Sequence, residues 1–398
     1  MPERPGRRAN DACLRSDYAL EAQCWASFQF EFRQFRITMK QPVVSVVMPV
    51  RNAARFLAEA IESVLTQTFT NFEFIVVDFG SLDESRRIIR QYAHKDSRIR
   101  LHEVGPASLP QARNAGCYLA QGRYLAVMDA DDVCLPERLM LGVDFLDSHQ
   151  STAVVGGAVE WIDGRGNFLR RHDYPTRDSE IKAALTTNCP HCHPTTLIRR
   201  AAFEKVGGYR IAFALAHDYD LWLRLAEYFE SANLQDVVLR YRIHFDQVSM
   251  GRRTQQTMCI LAAQASAAAR RAGKLDPLER FEEITPVELA GLGVTEAEQQ
   301  SRNALEFRRS IRWMCSMGEH AAALGAAEEF LKSRWALVER WQISDLQLTA
   351  ARLYWRDGQR WNSVLALACA IMTRPVTLAR PFKPLLRSLG VRRESAHA

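Results

Sequence analysis

Three aspartates within four residues, Asp129, Asp131 and Asp132, form the strongest chemical signal in the sequence. They follow an apolar run at 124–128 that is typical of a buried strand. Carboxylates at this spacing repel one another unless a cation lies among them, and hard divalent ions prefer oxygen ligands and also bind phosphates. The spacing fits a solvated acidic loop or a helix N-terminus before Pro136 equally well, so it does not by itself establish a metal site.

The elements that position these aspartates can be predicted from the apolar pattern. Short apolar runs indicate four buried strands, at 43–48, 74–77, 99–101 and 124–128. Helical spacing between them predicts a helix capped by Asn52, a helix that opens at Ser81, and a helix around 112–120. This alternation implies an α/β fold, a mostly parallel sheet wrapped by helices. Ligands bind beyond the carboxyl ends of such strands, which is where Asp78 and Asp129 are placed.

Further elements are predicted after Pro136. They are a helix to about 148, a hairpin of 154–162 with the segment at Phe168, a strand at 195–198, a helix at 218–228 and a strand at 237–243. Beyond 250 the residues have helical spacing. Two helix pairs are predicted to turn at Gly318 and Gly358, 40 residues apart, which weakly resembles a tetratricopeptide-type repeat.

Length and composition predict the organisation of the chain. Its 398 residues exceed one typical core, so we predict a poorly ordered tail at 1–40, an α/β domain at 41–250 and a helical region with a basic tail at 251–398. Met39 is an alternative start. The net charge of +6 is too weak to indicate nucleic-acid binding.

Cysteine usage and hydropathy favour a cytoplasmic location. The nine cysteines are scattered and odd in number, unlike a secreted disulfide framework. The first 40 residues lack the apolar segment of a signal peptide. The longest apolar run, at 364–372, has nine residues, whereas a spanning helix needs about 20.

Nine segments resemble family 2 glycosyltransferases, which have the GT-A fold. They are 43–52 (VVSVVMPVRN), 60–69 (AIESVLTQTF), 74–83 (FIVVDFGSLD), 112–116 (ARNAG), 124–132 (YLAVMDADD), 135–139 (LPERL), 193–209 (HPTTLIRRAAFEKVGGY), 218–225 (DYDLWLRL) and 241–244 (YRIH). Each motif alone is weak, but all of them in the family's order are specific. The resemblance covers about half of the chain and implies a sugar transfer from a nucleotide-diphosphate donor to an acceptor hydroxyl.

The resemblance assigns roles to the acidic residues. Asp129 and Asp131 match the family's Asp-x-Asp motif, in which Asp131, with Asp132, would hold Mn²⁺ or Mg²⁺ against the donor diphosphate. Asp129 would reach the ribose. The metal would neutralise the charge that grows on the leaving nucleoside diphosphate. Asp218 matches the catalytic base of a single displacement with inversion, and its alternative role is an N-cap of the helix at 218–228.

Other matching positions complete the expected site. Donor binding is expected of Pro49, Arg51, Asn52, Asp78, Phe79, Arg113 and Asp129, and the acceptor side is expected to include His193, His217 and Trp222. The alternative for Arg113 is an ordinary surface arginine. His244 could approach a phosphate, with a structural histidine near a strand end as the alternative.

Three positions depart from the family's pattern. Arg51 replaces an aromatic residue and Phe79 replaces the second of two aspartates; in relatives both positions contact the nucleotide base. Arginine can still stack on a base, but Phe79 removes a hydrogen-bond acceptor, which makes a uridine donor less certain. His217 replaces an acidic residue beside Asp218, so we expect a titratable neighbour to shift the pH range of the base.

A cluster of potential zinc ligands lies at 189–193, where four of five consecutive residues are Cys or His: Cys189, His191, Cys192 and His193. No second ligand pair at finger spacing accompanies them. The resemblance places this segment at the entrance of the acceptor site, which we favour over a metal site.

These features favour an enzyme that adds a sugar to a glycan or lipid-linked acceptor in surface-polysaccharide or glycolipid synthesis. The alternative is a catalytically impaired nucleotide-sugar-binding or scaffold protein, in line with Arg51 and Phe79. The clustered carboxylates at 129–132, together with Asp218, argue against a decayed site. A nucleotidyltransferase would need a glycine-rich phosphate loop after the first strand, and 49–52 is not one.

The C-terminal segment can be interpreted as a helix that packs on its neighbours or as a membrane contact, and we slightly favour the first. Apolar residues at 361–372 fall largely on one helical face, and six basic residues follow from Arg374 onward. Such a segment suits an anionic membrane surface, while the alternative is that this face packs on the neighbouring helix pair. We expect a cytoplasmic protein that is at most peripherally bound to the inner membrane face.

Overall fold

The computed structural model describes residues 41–244, 252–332 and 337–375. The predicted tail at 1–40 and the basic residues after 375 lie outside the described residues. Within the described ranges, no helix combines the length and apolar character needed to cross a membrane.

A nine-stranded sheet is formed within 41–244. Its strands are β1 Val44–Val50, β2 Phe72–Asp78, β3 Ile99–Glu103, β4 Tyr124–Val127, β5 Val133–Cys134, β6 Thr152–Ile162, β7 Phe168–His172, β8 Leu197–Arg199 and β9 Glu230–Arg242. The order is β3-β2-β1-β4-β8-β6-β9-β5, with β7 paired to the end of β6. The first four strands in this order are parallel, as predicted, but β5, β7 and β8 pair antiparallel with their neighbours. β6 and β9 also pair in parallel. The sheet within 41–244 is therefore mixed, and the predicted parallel pairing is found in both of its parts.

Helices cover both faces of this sheet. They are α1 Ala54–Leu65, α2 Ser85–Lys95, α3 Leu109–Leu119, α4 Arg138–Ser148, α5 Asp178–Ala184, α6 Arg200–Lys205 and α7 His217–Leu225. Alternate side chains of β1 enter different cores, because successive residues of a strand face opposite sides. Val46 and Met48 pack with α1, α2 and α4, whereas Val47 packs with α3 and α7. The predicted α/β class is confirmed.

β1 continues through Pro49, where the sequence predicts its end. Pro49 lies beyond Val47, the last residue of β1 that pairs with β4. Its missing N–H therefore removes no bond from that ladder. Pairing between β1 and β4 stops at Val47, near the carboxyl ends of both strands.

The chain from 252 onward is helical where it is described, as predicted. Its helices are α8 Arg253–Arg271, α9 Pro286–Gly291, α10 Glu296–Ser316, α11 His320–Lys332, α12 Arg340–Arg356 and α13 Arg360–Thr373. The last four form two pairs that turn at Gly318 and Gly358, whose positive φ angles of 80° and 81° favour glycine. Ala262, Ala263 and Ala267 of α8 enter the same core as α7. The boundary at residue 250 stays a prediction.

Gly122, between α3 and β4, provides a test of this packing. A Cβ at Gly122 would lie 2.6 Å from the backbone nitrogen of Ser45 in β1, which cannot retreat without breaking the sheet. We expect Gly122→Ala to lower the free energy of unfolding by about 1–3 kcal/mol, measured by chemical denaturation. Gly105→Ala is the control, because a Cβ there meets no atom within 4 Å. Equal stability of the two variants would contradict the close approach.

Candidate active site

The loops after β1 and β2 are joined by hydrogen bonds. Asn52 has a left-handed φ of 52°, and its side chain accepts the N–H of Leu82 at 2.8 Å. Asp83 accepts the N–H of Ala54, the first residue of α1, at 3.0 Å. The prediction that Asn52 caps α1 is therefore wrong, because the side chain that accepts an N–H group at the start of this helix is Asp83, in the neighbouring loop. α2 begins at Ser85, after Asp83, whereas the sequence predicted that this helix opens at Ser81.

Asp78 ends β2 and is fully buried. One of its oxygens accepts the N–H groups of Gly80 and Ser81 at 3.1 and 3.2 Å and a bond from Arg86 at 3.1 Å. Burial raises the pKa of Asp78, but these hydrogen bonds outweigh it and hold the pKa below its usual value. The other oxygen has no hydrogen-bond partner among the described residues. It is the atom with which Asp78 could bind a ligand.

The two departures at the donor side are neighbours in space. Phe79 is 8% exposed, and the guanidinium of the exposed Arg51 lies 5.9 Å from the centre of its ring. A cationic plane beside an aromatic ring is a surface on which a nucleotide base can stack. Pro49 is buried in the strand that leads to Arg51.

The aspartates after β4 have different partners. Asp132 is almost fully buried, and its Oδ1 accepts the backbone N–H of Arg242 at 2.8 Å. Asp131 Oδ2 contacts Nε2 of His244 at 2.8 Å. The Arg242 side chain donates to the backbone oxygen of Asp131 at 2.8 Å and to Glu59 at 2.6 Å. Arg242 thereby fixes the turn that presents Asp131.

The charges of these aspartates interact. Burial raises the pKa of Asp132 well above its usual value, and the charges of Asp131 and Asp129 raise it further. Burial also raises the pKa of Asp129, although Arg113 opposes this. Within the described ranges, no three His, Cys, Asp or Glu side chains could enclose a metal ion alone. A metal bound here would take its remaining ligands from the substrate or water.

Arg113 on α3 connects the site. Its Nη2 donates to Asp129 Oδ1 at 2.6 Å, and its Nη1 bonds to Nδ1 of His193 at 2.7 Å and to Nε2 of His217. Burial lowers the pKa of the guanidinium, but the charge of Asp129, with those of other acidic groups including Asp218, outweighs burial and raises the pKa. Arg113 is 4% exposed, so the alternative of a surface arginine is wrong.

The two histidines at Arg113 are uncharged. Burial lowers the pKa of His193 and His217 well below the usual value, and the charge of Arg113 lowers both further. Since a guanidinium can only donate, the ring nitrogens that face it carry no proton. His193 therefore donates from Nε2 to the hydroxyl of Tyr209 at 2.8 Å. Burial and the charge of Arg113 thus shift the pKa of His217 away from neutral pH, and the expected effect of His217 on the pH range of the base stays a prediction.

Asp218 lies in the first turn of α7, which begins at His217 after a left-handed Ala216. It is inside the helix and is not the N-cap. Its side chain is half-buried. Burial raises its pKa, while the charge of Arg113 and backbone N–H groups of the helix start oppose this shift. Leu221 and Trp222 are buried on the same helix and anchor it.

The cysteine and histidine segment at 189–193 forms no metal site. His191 bonds to Asn233 at 2.8 Å, and His193 faces Arg113. The ring of Trp222 lies against both histidines, with ring centres 5.4 and 5.7 Å apart. His193, His217 and Trp222 are thus brought together, and all three are buried.

Two residues that shape the site were missed in the sequence. Tyr209 supports His193, and Arg242 holds the turn at 131–132. Both lie inside segments that resemble the family, at 193–209 and 241–244. The available signal was their position inside motifs that resemble the family.

Comparison with known proteins finds relatives of this chain. The family model for Glycosyl transferase family 2 matches residues 45–207. EpsE of Bacillus subtilis is 36% identical over 218 residues, which are 54% of this chain and 77% of that protein. The O-antigen biosynthesis glycosyltransferase WbnJ of Escherichia coli is 30% identical over 206 residues, 51% of this chain and 80% of that protein. The structure of S. aureus TarS in complex with UDP-GlcNAc has a TM-score of 0.48 at 17% identity and covers 82% of this chain and 90% of that one.

The matched region contains Asp78, Arg113 and the aspartates at 129–132. EpsE and WbnJ align with this chain over more than two thirds of their own length. The chain therefore belongs to glycosyl transferase family 2.

Proposed function

We propose that this glycosyltransferase performs an inverting, metal-dependent transfer from a nucleotide-diphosphate sugar to an acceptor hydroxyl. The observation that carries the proposal is the environment of Arg113. One buried guanidinium bonds to Asp129, on the predicted donor side, and interacts electrostatically with Asp218, the predicted base. An inverting displacement requires a donor site and a base close together, because the hydroxyl attacks the anomeric carbon opposite the leaving group.

The donor nucleotide would lie at the carboxyl ends of β1 and β2. Arg51 and Phe79 would stack on the base, and the joined loops of Asn52 and Asp78 would supply polar contacts. Pro49 would shape the strand end beneath them. Asp129 would bond to the ribose while Arg113 holds it in place.

Mn²⁺ or Mg²⁺ would bind beside the donor diphosphate. Asp131 and His244 present oxygen and nitrogen donors side by side. Asp132 keeps one buried oxygen without a hydrogen-bond partner among the described residues. These donors fit a hard divalent ion, which when bound neutralises charge on the leaving diphosphate. The contribution of the chain itself is the fixed turn that Arg242 holds.

Asp218 would take the proton of the acceptor hydroxyl. The hydroxyl oxygen then bonds to the anomeric carbon as the bond to the diphosphate oxygen breaks. Burial raises the pKa of Asp218, which makes its carboxylate a stronger base. The charge of Arg113 limits this shift.

The pH dependence of kcat tests this role. Asp218 acts as a base only when ionised, and its pKa lies above the usual aspartate value. The rate should therefore fall as the pH drops through that raised pKa, above the value of about 4 of a free aspartate. Arg113→Gln should move this acidic limb to higher pH, because the charge of Arg113 lowers the pKa of Asp218. An unmoved limb would contradict the assignment.

The acceptor we propose is a glycan or a lipid-linked saccharide, in surface-polysaccharide or glycolipid synthesis. WbnJ, which this chain resembles, is named for O-antigen biosynthesis. The proposed enzyme works in the cytoplasm. His193, His217 and Trp222 would support the acceptor side from behind Asp218.

A panel of nucleotide sugars that differ in base and sugar, tested with and without Mn²⁺, examines the proposal. We expect one donor class to bind with metal and to yield transfer or slow hydrolysis. NMR of the product should show the anomeric configuration opposite to the donor, and a retained configuration would overturn the mechanism. A catalytically impaired binding protein would bind the donor and yield neither product.

A further inference from the structure

The last described helix, α13, packs on α12 through small residues. Ser363 and Ala370 are buried at this contact. The Ser363 hydroxyl donates to the carbonyl of Ala351 at 2.7 Å, and the Ser344 hydroxyl donates to the carbonyl of Ala370 at 3.0 Å. These contacts hold α13 to α12, while most of its large apolar side chains remain exposed.

Those large side chains lie on the outer face of α13. The exposed fractions are 73% for Trp361, 50% for Val364, 50% for Leu365 and 74% for Met372. Val364 and Leu365 lie three and four positions after Trp361, and Met372 lies seven after Leu365, so the four residues share one face. The alternative that this face packs on the neighbouring helix pair is therefore wrong within the described residues.

The charges at α13 are of one sign. Arg360 begins the helix and Arg374 follows its end, and the helix contains no acidic residue. The Arg360 guanidinium lies 4.4 Å from the ring centre of Trp355, which is 56% exposed. The sequence after Arg374 adds five basic residues and one acidic residue. An apolar face bordered by arginines results.

We propose that the outer face of α13 docks on an anionic lipid surface, a role that is independent of the proposed transfer chemistry. A helix in the interface buries its apolar face among acyl chains while Arg side chains reach lipid phosphates. Tryptophan suits this boundary because its ring is apolar and its N–H is polar.

Two other occupants fit less well. A second copy would need about 800 Å² of surface per partner, whereas a helix of 14 residues is only about 21 Å long and 10 Å wide. The segment 376–398 carries mainly positive charge, and it would place this charge beside Arg360 and Arg374. An anionic surface complements the same residues.

Vesicle flotation of the full chain tests the proposal. We expect binding to vesicles of equal parts phosphatidylcholine and phosphatidylglycerol at low salt, and none to phosphatidylcholine alone. The variant Trp361→Ser, Leu365→Ser, Met372→Ser should bind at least about tenfold more weakly. Arg360→Gln should weaken binding about fivefold, and this loss should disappear at high salt.

Leu275→Ser with Val287→Ser is the matched control, since both residues are apolar and more than three quarters exposed away from α13. It should bind like the parent chain. Unchanged binding of the triple variant would overturn the proposal. The proposal would also be overturned if the triple substitution lowered the melting temperature of the full chain but not that of a chain lacking 376–398. That result would mean that the segment 376–398 covers the face. Loss of a dimer in the triple variant, measured by light scattering, would assign the face to a second copy.

Discussion

Asp218→Asn is expected to lower kcat by about a hundred- to ten-thousand-fold, the usual contribution of a general base. Asparagine has nearly the same shape but cannot accept the hydroxyl proton at neutral pH. Nucleotide affinity should stay nearly unchanged, because the proposed role of Asp218 concerns the acceptor. The measurements are kcat with saturating donor and the Kd of the nucleoside diphosphate with Mn²⁺.

Asp144→Asn is the control for a changed aspartate on a helix, since Asp144 is exposed on α4 and has no part in the proposed site. It should keep full activity. A nucleotide affinity that falls as much as the rate in Asp218→Asn would show that Asp218 binds the donor instead.

Asp131→Ala is expected to abolish metal-dependent transfer and the gain in nucleotide affinity that Mn²⁺ provides. Chelator should have the same effect on the parent chain, and added Mn²⁺ or Mg²⁺ should restore only the parent. The variant should remain folded, because Arg242 holds the turn through the backbone oxygen of Asp131 and not through its side chain. Activity with and without chelator, metal titration of nucleotide binding and thermal melting measure these effects.

Asp173→Ala serves as the control, because Asp173 is largely exposed. Its one ion pair within the described residues is with Arg171. It should bind metal and nucleotide like the parent chain. Full activity of Asp131→Ala, or chelator-resistant transfer, would remove the metal from the proposal.

The strands that lead to the proposed donor side were predictable because they are buried and therefore apolar at most positions. β1 and β2 are buried throughout, and all their residues except Ser45, Glu73 and Asp78 are apolar. The antiparallel part was not predictable, since β8 has only three residues and pairs with segments far along the chain. Short strands leave little pattern, and their direction depends on contacts that are distant in sequence.

The candidate site shows the same limit. The motif residues at 129–132 and Asp218 were identified from resemblance, but the joining role of Arg113 depends on three partners from separate elements. Nothing in the spacing of 113, 193 and 217 indicates that they meet. The charge states of the histidines follow from burial, which a single sequence does not reveal at polar positions.

The packing of α8 alanines in the same core as α7 affects how the sequences of related proteins can diverge. The family model ends at residue 207, before α7, while the helix that carries Asp218 rests on α8, further along the chain. The proposed donor side and the helix that supports the proposed base are therefore encoded in separate stretches. A lineage can alter α8, and with it the position of α7 and Asp218, while the residues of the proposed donor side stay unchanged.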